Sequence, residues 1–309
     1  MKHTRSIILI LLCVAFVPLI VNADQLTYDI EGKTVTVIDC DESASGELVI
    51  PSSYNGMPVI SIDSYAFSSC ISLTSVTIPD SVTRIGSFAF GYCSSLKSVM
   101  IPDSVSSIEQ YAFWDCSNLM SVTIPDSVTS IENMTFRNCS NLKSVLIGNK
   151  VTSIGRWAFK DCLNLTNIKI PDSVTSIGSM AFSGCISLKD ITFLGNAPSS
   201  IVSDVFKNLP IGATIAVTAG ATGFGETYGG LPVQVLKKKL LIKSFNNHAA
   251  PFSLIFETQS DLTYIIEASH DLKKWGEIGE AQGTGSSVKF IERRKAMFPQ
   301  QYYRVKMEE

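Results

Sequence analysis

Cysteine offers the widest choice of chemistry in this chain, and six cysteines recur at a fixed interval of 23 residues. They are Cys70, Cys93, Cys116, Cys139, Cys162 and Cys185. In an exported chain such a ladder suggests disulfides, and thiolates also bind metal ions. One cysteine at the same inward position of every repeat is more typical of packing, with the thiol donating to a loop carbonyl. We therefore expect reduced, buried structural thiols, with disulfides or a metal site as alternatives.

A second column consists of carboxylates that recur with the same period. Its members are Asp80, Asp103, Asp126 and Asp172. Stacked carboxylates could hold Ca²⁺, which needs several oxygen ligands at once. Each aspartate also stands in a Pro-Asp-Ser sequence, whose composition favours a tight turn, and Asn149 interrupts the column. We therefore expect these residues to form turns, and we expect no metal and no cofactor.

Recognisable catalytic motifs are missing from the sequence. It has no HExxH, GxSxG or P-loop pattern. His270 lies between Ser269 and Asp271, but a catalytic triad is assembled through the fold rather than from consecutive residues. A glycosidase needs only two carboxylates at the right separation, so that class stays open. Because the inward repeat positions are all apolar, little room is left for a pocket, and we expect a protein that is not an enzyme.

The cysteine period belongs to a complete structural repeat. A phenylalanine stands three residues before each of the six cysteines, and a leucine stands three residues after it. Residues 73–78 (LTSVTI) alternate like a half-buried strand. Pro79-Asp80-Ser81 favours a turn, and Gly86 allows a corner. A fixed period of this length predicts stacked coils, each burying its apolar face against its neighbours.

Residues 78–86 (IPDSVTRIG), with Ala89, Phe90 and Cys93, resemble the repeat of the BspA-like leucine-rich repeat family. The resemblance covers residues 46–210. It implies a repeat solenoid, a right-handed leucine-rich repeat coil with a parallel β-sheet and short helical or 3₁₀ turns. It also implies an exported or surface protein that takes part in adhesion, matrix binding or cell–cell contact. No catalytic residues come with the family.

The ends of the chain predict export and capping. Residues 1–23 carry Lys2 and Arg5 before an apolar run, the pattern of a secretory signal cleaved after Ala23. The run is short for a membrane crossing, and no transmembrane segment is expected in the mature chain, which should be secreted or held at the cell surface. Residues 24–45 are predicted to form an N-terminal β-hairpin cap in which Cys40 is buried. Residues 46–210 hold the repeats, residues 211–235 form a C-terminal cap, and residues 236–250 form a linker.

Residues 251–309 lose the period and read as a separate small β module, expected to be sandwich-like. Four strands are predicted, at 252–257, 262–268, 287–291 and 301–306. With Trp275 and Tyr302-Tyr303, the segment resembles a C-terminal β module of exported bacterial multidomain proteins, which has a fibronectin-like fold. The resemblance leaves sorting, attachment and glycan contact open as its role.

The outward positions of the predicted main sheet form the natural binding surface, the main-sheet face, and they fall into three columns. The serine column is Ser75, Ser98, Ser121, Ser144, Asn167 and Asp190; the mixed column is Thr77, Met100, Thr123, Leu146, Lys169 and Thr192; the lysine column is Thr74, Lys97, Met120, Lys143, Thr166 and Lys189. Small polar residues give a flat surface, on which Met100, Met120 and Leu146 are exposed apolar groups. Because the face has no aromatic side chain, it suits a protein or peptide better than a sugar. An unused, solvated face is the alternative.

An aromatic column precedes the Ala-Phe turns. It consists of Tyr65, Phe88, Tyr111, Met134, Trp157 and Met180. Such residues could stack on glycan rings, but packing of coil on coil is the favoured interpretation.

The charge balance of the solenoid argues against a nucleic-acid partner, which would need a basic surface. Residues 24–235 hold 11 Lys and Arg against 19 Asp and Glu.

These patterns favour an exported, non-enzymatic protein that recognises a protein ligand through the main-sheet face. The ligand would belong to the cell envelope or the extracellular matrix. Two alternatives remain from the sequence: a spacer solenoid attached by its C-terminal module, and a glycan-binding accessory protein that uses the aromatic column.

Overall fold

The computed structural model describes residues 20–21, 25–201, 204–236, 242–246, 252–258, 263–292 and 302–307. Most of the predicted signal sequence and much of the predicted linker lie outside these ranges. The chain divides into two compact units, Met1–Leu236 and Lys237–Glu309. Among the described residues, no helix is long and apolar enough to cross a membrane.

The first unit is built from short strands that recur once or twice in every coil. In chain order they are β1 (Ile20–Val21), β2 (Leu26–Glu31), β3 (Thr34–Cys40), β4 (Ser45–Val49), β5 (Ser53–Tyr54), β6 (Met57–Ile62), β7 (Ser72–Thr77), β8 (Arg84–Ile85), β9 (Ser98–Met100), β10 (Ser107–Ile108), β11 (Ser121–Thr123), β12 (Ser130–Ile131), β13 (Ser144–Leu146), β14 (Ser153–Ile154), β15 (Asn167–Ile170), β16 (Ser176–Ile177), β17 (Asp190–Phe193), β18 (Ser200–Ile201), β19 (Thr214–Thr218), β20 (Thr227–Tyr228) and β21 (Leu231–Leu236).

Two parallel ladders run along the stack. The main ladder has the order β1-β4-β7-β9-β11-β13 and continues as a separate sheet, β15-β17-β19-β21. The second ladder runs from β3 through β6, β8 and β10, and again from β12 through β14 and β16 to β18. Its register advances by one repeat at each step, so that Ile85 pairs with Ile62 and Ile108 pairs with Ile85. The expected parallel solenoid is confirmed.

The interior of the stack is a set of identical residues placed one above another. Each periodic phenylalanine, leucine and cysteine is fully buried. The rings of Phe67, Phe90 and Phe113 are stacked, and the ring series continues to Phe182 with centroid separations of 4.9 to 5.4 Å. Neighbouring strands in a sheet lie about 4.8 Å apart, so the coil spacing brings each ring into contact with the next one. One coil could not bury this face alone, and the stack buries it continuously.

The Ala-Phe segments are chains of tight turns, where a short helical or 3₁₀ turn was expected. Ala89, Gly91 and Cys93 donate their amides to the carbonyls three residues before them, as in a 3₁₀ helix. The intervening amides of Phe88, Phe90 and Tyr92 donate to the next coil instead. Phe88 and Tyr92 have φ of 55° and 61°, which ends any regular helix. The segment is therefore a third connection between coils.

Hairpins stand at both ends of the solenoid. Strands β2 and β3 pair antiparallel, and β3 pairs in parallel with β6, so that this hairpin extends the second ladder. At the other end β20 and β21 form a hairpin on β19. The Tyr228 hydroxyl donates to the Pro198 carbonyl at 3.0 Å, and burial raises the pKa of Tyr228 to about 12.

The second unit contains two antiparallel sheets of three strands. Its strands are β22 (Ile242–Asn246), β23 (Phe252–Glu257), β24 (Thr263–Ser269), β25 (Gly276–Gln282), β26 (Ser287–Glu292) and β27 (Tyr302–Met307), and the sheet orders are β22-β23-β26 and β25-β24-β27. Leu254, Phe256, Tyr264 and Ile266 form its core. Two strands were not predicted: β22 lies inside residues 236–250, which were expected to be a linker, and β25 (GEIGEAQ) is poor in strand-forming residues. Pairing with β23 and β24 holds these strands in place.

Candidate ligand-binding face

The serine column of the main-sheet face runs straight across the strands. Ser98 pairs in register with Ser75 on one side and with Ser121 on the other, and Ser121 pairs with Ser144. In the following sheet Asn167 pairs with Asp190. The structure therefore brings the predicted residues of this column together in the expected order, within each of the two sheets.

Alternation along each strand separates the face from the core. Val76, Val99 and Val122 point inward and are buried, whereas their outward neighbours are exposed or half-buried. This follows from the two-residue period of a strand, which sends successive side chains to opposite sides of a sheet. Met100 is 69% exposed and Leu146 is 64% exposed. Both belong to the mixed column, in which Thr123 pairs with Leu146 and Thr77 pairs with Met100.

The exposed apolar group on this face is larger than the sequence indicated. Met120 is 45% exposed in the lysine column, and Val49 is 52% exposed at the end of β4. Val49 pairs with Thr77 and so extends the mixed column by one strand. The sequence analysis missed Val49 because the first coil departs from the repeat, although its place after Leu48 at the end of a strand was a usable signal. Val49, Met100, Met120 and Leu146 together are the apolar group of the main-sheet face.

The face is divided between two sheets, which the sequence did not predict. The first sheet ends at β13, and Asn167, Lys169 and Asp190 lie on β15 and β17 of the next sheet. The division follows the repeat whose strand ends in Ile147-Gly148-Asn149-Lys150 instead of the usual Ile-Pro-Asp-Ser. A Cβ at Gly148 would lie 2.6 Å from the Pro125 carbonyl oxygen, so the chain comes close to the preceding coil at this turn. The predicted binding residues therefore fall into two adjacent groups.

Charge on the main-sheet face is arranged by row. The exposed lysines Lys97, Lys143 and Lys189 stand just before their strands, and Lys169 is exposed within β15. The exposed aspartates Asp80, Asp103, Asp126 and Asp172 stand in the turns after the strands. Lysines therefore stand at one end of β9, β13 and β17, and aspartates stand at the other end of β7, β9, β11 and β15, so that β9 alone among these strands has both.

The aromatic column is occupied by its own members. The ring of Phe88 stacks on Tyr65 at 4.9 Å and on Tyr111 at 4.4 Å. Two arginines approach the ring of Trp157, Arg156 at 3.9 Å and Arg137 at 5.5 Å, distances typical of cation–π contacts. Ring faces used in this way offer little stacking surface to a sugar, so the geometry supports the packing interpretation over the glycan one.

The cysteine column forms a ladder of thiol hydrogen bonds. Five thiols donate to the carbonyl of the phenylalanine 26 residues earlier, at 3.0 to 3.2 Å; they belong to Cys93, Cys116, Cys139, Cys162 and Cys185. Burial raises the pKa of the Cys93, Cys116 and Cys139 thiols. All seven cysteines of the described residues are buried free thiols.

Asp126 of the aspartate column bonds to the next coil rather than within its own turn. Asp126 Oδ1 accepts a hydrogen bond from the Asn149 amide at 2.6 Å. Within the described ranges, no group of three or more histidine, cysteine or acidic residues is arranged to hold a metal ion.

The sequence analysis missed a ladder of asparagine side chains. The side-chain amide of Asn141 donates to Asn118 Oδ1 at 3.0 Å, and the side-chain amide of Asn164 donates to Asn141 Oδ1 at 2.9 Å. The 23-residue spacing of these asparagines was its signal.

Solved structures of bacterial leucine-rich repeat proteins resemble this chain. The leucine-rich repeat protein of T. pallidum is 27% identical, with a TM-score of 0.53, and the match covers 64% of this chain and 86% of that one. A leucine-rich cell surface protein of Faecalibacterium prausnitzii is 33% identical, with a TM-score of 0.43, over 55% of this chain and 53% of that one. The chain therefore spans about half the length of the Faecalibacterium protein. No curated protein sequence matches the chain.

The family model for the BspA type leucine-rich repeat region, which consists of six copies, matches residues 60–189 and 109–227. The matched segments overlap and together cover more than half of the chain. They contain the buried phenylalanine, leucine and cysteine ladders and most of the main-sheet face. The chain belongs to the BspA-type leucine-rich repeat family.

Proposed function

We propose that this chain is an exported, non-catalytic binding protein that recognises a protein ligand of the cell surface or extracellular matrix through its main-sheet face. The observation that carries the proposal is the apolar group formed by Val49, Met100, Met120 and Leu146 on an otherwise small and polar surface. Scattered apolar residues are normal on a protein surface, but a group on one face marks an interaction site. Membership of a family that is surface-associated in bacteria supports the export predicted from the signal sequence.

The geometry of the face supports a protein or peptide ligand. Its strands are held in register by their neighbours, so little conformational entropy would be lost on binding. Serines and threonines between the apolar residues let a ligand backbone come close, while Met100 and Leu146 stand far enough out to enter its pockets. Apolar anchors surrounded by polar residues are typical of protein interfaces.

The charge rows indicate how a ligand would be oriented. Lys97, Lys143 and Lys189 precede β9, β13 and β17, and Asp103 and Asp126 follow β9 and β11, at the opposite end of the strands. A ligand with acidic groups on one side and basic groups on the other would lie across the strands with its acidic side toward the lysines. Such complementarity mainly governs the association rate and the orientation of the complex, so we expect association to slow as salt concentration rises.

A binding measurement with a double variant tests the proposal. Wild-type protein and the Met100→Glu/Leu146→Glu variant would be titrated against purified extracellular-matrix proteins and envelope proteins by surface plasmon resonance. We expect the wild type to bind at least one of them and the variant to lose about tenfold or more in affinity, because two apolar anchors are replaced by charges. Thermal unfolding of both proteins would confirm that the solenoid is intact.

The matched control changes exposed apolar residues outside the face. Ile71 and Ile186 are 56% and 58% exposed and directly follow Cys70 and Cys185. The Ile71→Glu/Ile186→Glu variant adds the same charge to the same solenoid and should bind like the wild type. Equal losses in both variants, or normal binding by Met100→Glu/Leu146→Glu, would contradict the assignment of this face.

A further inference from the structure

The first member of the cysteine column differs from the other five. The thiols of Cys93 to Cys185 each donate to a phenylalanine carbonyl at 3.0 to 3.2 Å. The preceding coil offers Cys70 no such carbonyl, and its Sγ lies 4.0 Å from the carbonyl oxygens of both Cys40 and Asp41. The Cys70 thiol therefore lacks the short acceptor that the rest of the column has.

Cys40 occupies the space beside this thiol. It is the last residue of β3 and the one described cysteine outside the 23-residue period. Its own Sγ lies 3.7 Å from the Asp41 carbonyl oxygen, and the Sγ of Cys70 lies 4.0 Å from the same oxygen, so the two thiols converge on one carbonyl. Two thiols thus meet at the point where the N-terminal hairpin joins the first coils.

The surroundings of Cys70 favour reaction more than those of the deeper thiols. The loop that covers it contains the exposed residues Asp41, Glu42 and Ser43, so only a thin layer separates it from water. Contact with the Cys40 thiol lowers the pKa of Cys70, against the opposing effects of burial and of Asp39, Glu42 and Asp41. The same contact raises the pKa of Cys40, so Cys70 is the thiol that reacts first. Burial raises the pKa of Cys116 and Cys139, which makes those thiols less reactive.

We propose that Cys40 and Cys70 form a disulfide when the chain meets a disulfide oxidant, and that this bond fastens the N-terminal hairpin to the repeats. The oxidant is a small-molecule disulfide or an oxidoreductase that carries a disulfide, as found in oxidising compartments. The bond joins the end of β3 to the residues just before β7 and encloses the whole first coil. The other five cysteines stay reduced.

The reaction balances as two successive exchanges. The Cys70 thiolate attacks one sulfur of the oxidant, which forms a mixed disulfide and releases one oxidant thiolate. The Cys40 thiol then loses its proton and attacks Sγ of Cys70, which forms the Cys40–Cys70 bond and releases the second oxidant thiolate. Two electrons pass from the protein to the oxidant, and the two protons end on the released thiols.

Thiol mapping of the full mature chain tests the proposal. Folded protein would be incubated with oxidised glutathione, alkylated under denaturing conditions, digested without reduction and analysed by mass spectrometry. We expect one cross-linked peptide pair containing Cys40 and Cys70, lighter than the two thiol peptides by two hydrogen atoms, and alkylation of the other five cysteines. Alkylation of all seven cysteines, or a cross-link between members of the column, would overturn the proposal.

Cys162 and Cys185 provide an internal comparison. Burial and contact with Cys185 raise the pKa of the Cys162 thiol, but each of these two thiols donates to a phenylalanine carbonyl, at 3.2 and 3.1 Å. If contact between two thiols were sufficient for disulfide formation, Cys162 and Cys185 would also be oxidised to a disulfide. A Cys185→Ser variant should keep the Cys40–Cys70 cross-link, and a Cys40→Ser variant should give none.

Hydrogen exchange measures the effect of the Cys40–Cys70 disulfide on the N-terminal hairpin in the wild-type protein. Val35 and Val37 of β3 are buried and paired with β6. We expect oxidation to slow exchange at these amides by about tenfold, because the hairpin must then open while still attached. Unchanged exchange in protein that carries the cross-link would contradict the fastening role.

Discussion

The main-sheet face and the interior of the coils are built from the same 23-residue period, yet their side chains are engaged differently. Inside, each ring of Phe90, Phe113 and Phe136 stacks on its neighbours, and the thiols of the column donate to carbonyls. On the face, Met100 and Leu146 are mostly exposed to solvent. Repetition inside therefore stabilises the stack, whereas variation outside leaves groups free to meet a ligand.

The aromatic column lies between these extremes. Tyr65 is 58% exposed, but its ring stacks on Phe88 and the series continues to Tyr111. Exposure alone therefore does not distinguish a binding residue from a packing residue. What distinguishes the main-sheet face is that its exposed apolar side chains stand among small polar neighbours instead of stacking on one another.

The largest effect is expected from a change inside the stack. Phe113→Ala removes a fully buried ring that stacks on Phe90 and Phe136, and we expect it to lower the free energy of unfolding by about 3–5 kcal/mol. Met100→Ala, on the exposed face, should change that free energy by less than about 0.5 kcal/mol. Urea unfolding followed by circular dichroism would measure both. Similar values for the two variants would remove the distinction between interior and face.

The second largest loss of stability is expected where the backbones of two coils pack closely together. A Cβ at Gly178 would lie 2.5 Å from the Arg156 amide nitrogen, so Gly178→Ala must push two coils apart. We expect a loss of about 1–3 kcal/mol in the free energy of unfolding.

The matched control for this variant is Gly276→Ala, whose new methyl group would meet no atom within 4 Å. It should be nearly neutral. If Gly178→Ala were neutral as well, the coils would be more loosely stacked than the structure describes.

The aromatic column should behave as packing. Tyr111→Ala removes the ring that stacks on Phe88 at 4.4 Å, and we expect it to cost about 1–3 kcal/mol because the site is only partly buried. Tyr111→Phe keeps the ring and should be close to the wild type. Retention on immobilised polysaccharides would be compared in parallel: a loss of retention at unchanged stability would favour the glycan alternative.

The smallest effect concerns backbone strain in the turns. Asp115 has φ of 60°, and the equivalent position three repeats later is Gly184. Asp115→Gly should therefore stabilise the chain by at most about 1 kcal/mol, since glycine takes this conformation without strain but loses more entropy on folding.

Ser94→Gly is the comparison for the strain prediction, since Ser94 is not among the residues with positive φ. Ser94→Gly relieves no backbone strain, so it should leave the free energy of unfolding unchanged or lower it. Thermal unfolding would rank the two variants, and the opposite order would contradict the strain argument.

The solenoid could be predicted because its information is repeated. Six cysteines in one register, with Phe and Leu at fixed offsets, point to the same inward positions that are buried. The second unit has no such repetition. Strand β25 consists largely of Gly and Glu and forms through pairing with β24, a tertiary interaction that local sequence does not reveal.

The candidate face was predictable in position but not in detail. Strand alternation placed Ser98, Met100 and Leu146 outward. The contribution of Val49 depends on how the atypical first coil pairs with β7, and the boundary after β13 follows the repeat whose strand ends in Ile147-Gly148-Asn149-Lys150. Both are consequences of departures from the repeat, where the pattern that guides prediction is absent.

Methionine oxidation in the presence of ligand tests the central claim most directly. Met100 and Met120 are exposed on the main-sheet face, whereas Met134 and Met180 belong to the aromatic column and are half-buried. With a matrix or envelope protein that binds, dilute hydrogen peroxide would be added and sulfoxide formation at each residue followed by mass spectrometry. The account predicts that ligand slows oxidation of Met100 and Met120 and leaves Met134 and Met180 unchanged. Protection of Met134 and Met180 alone would contradict it and place the ligand on the aromatic column.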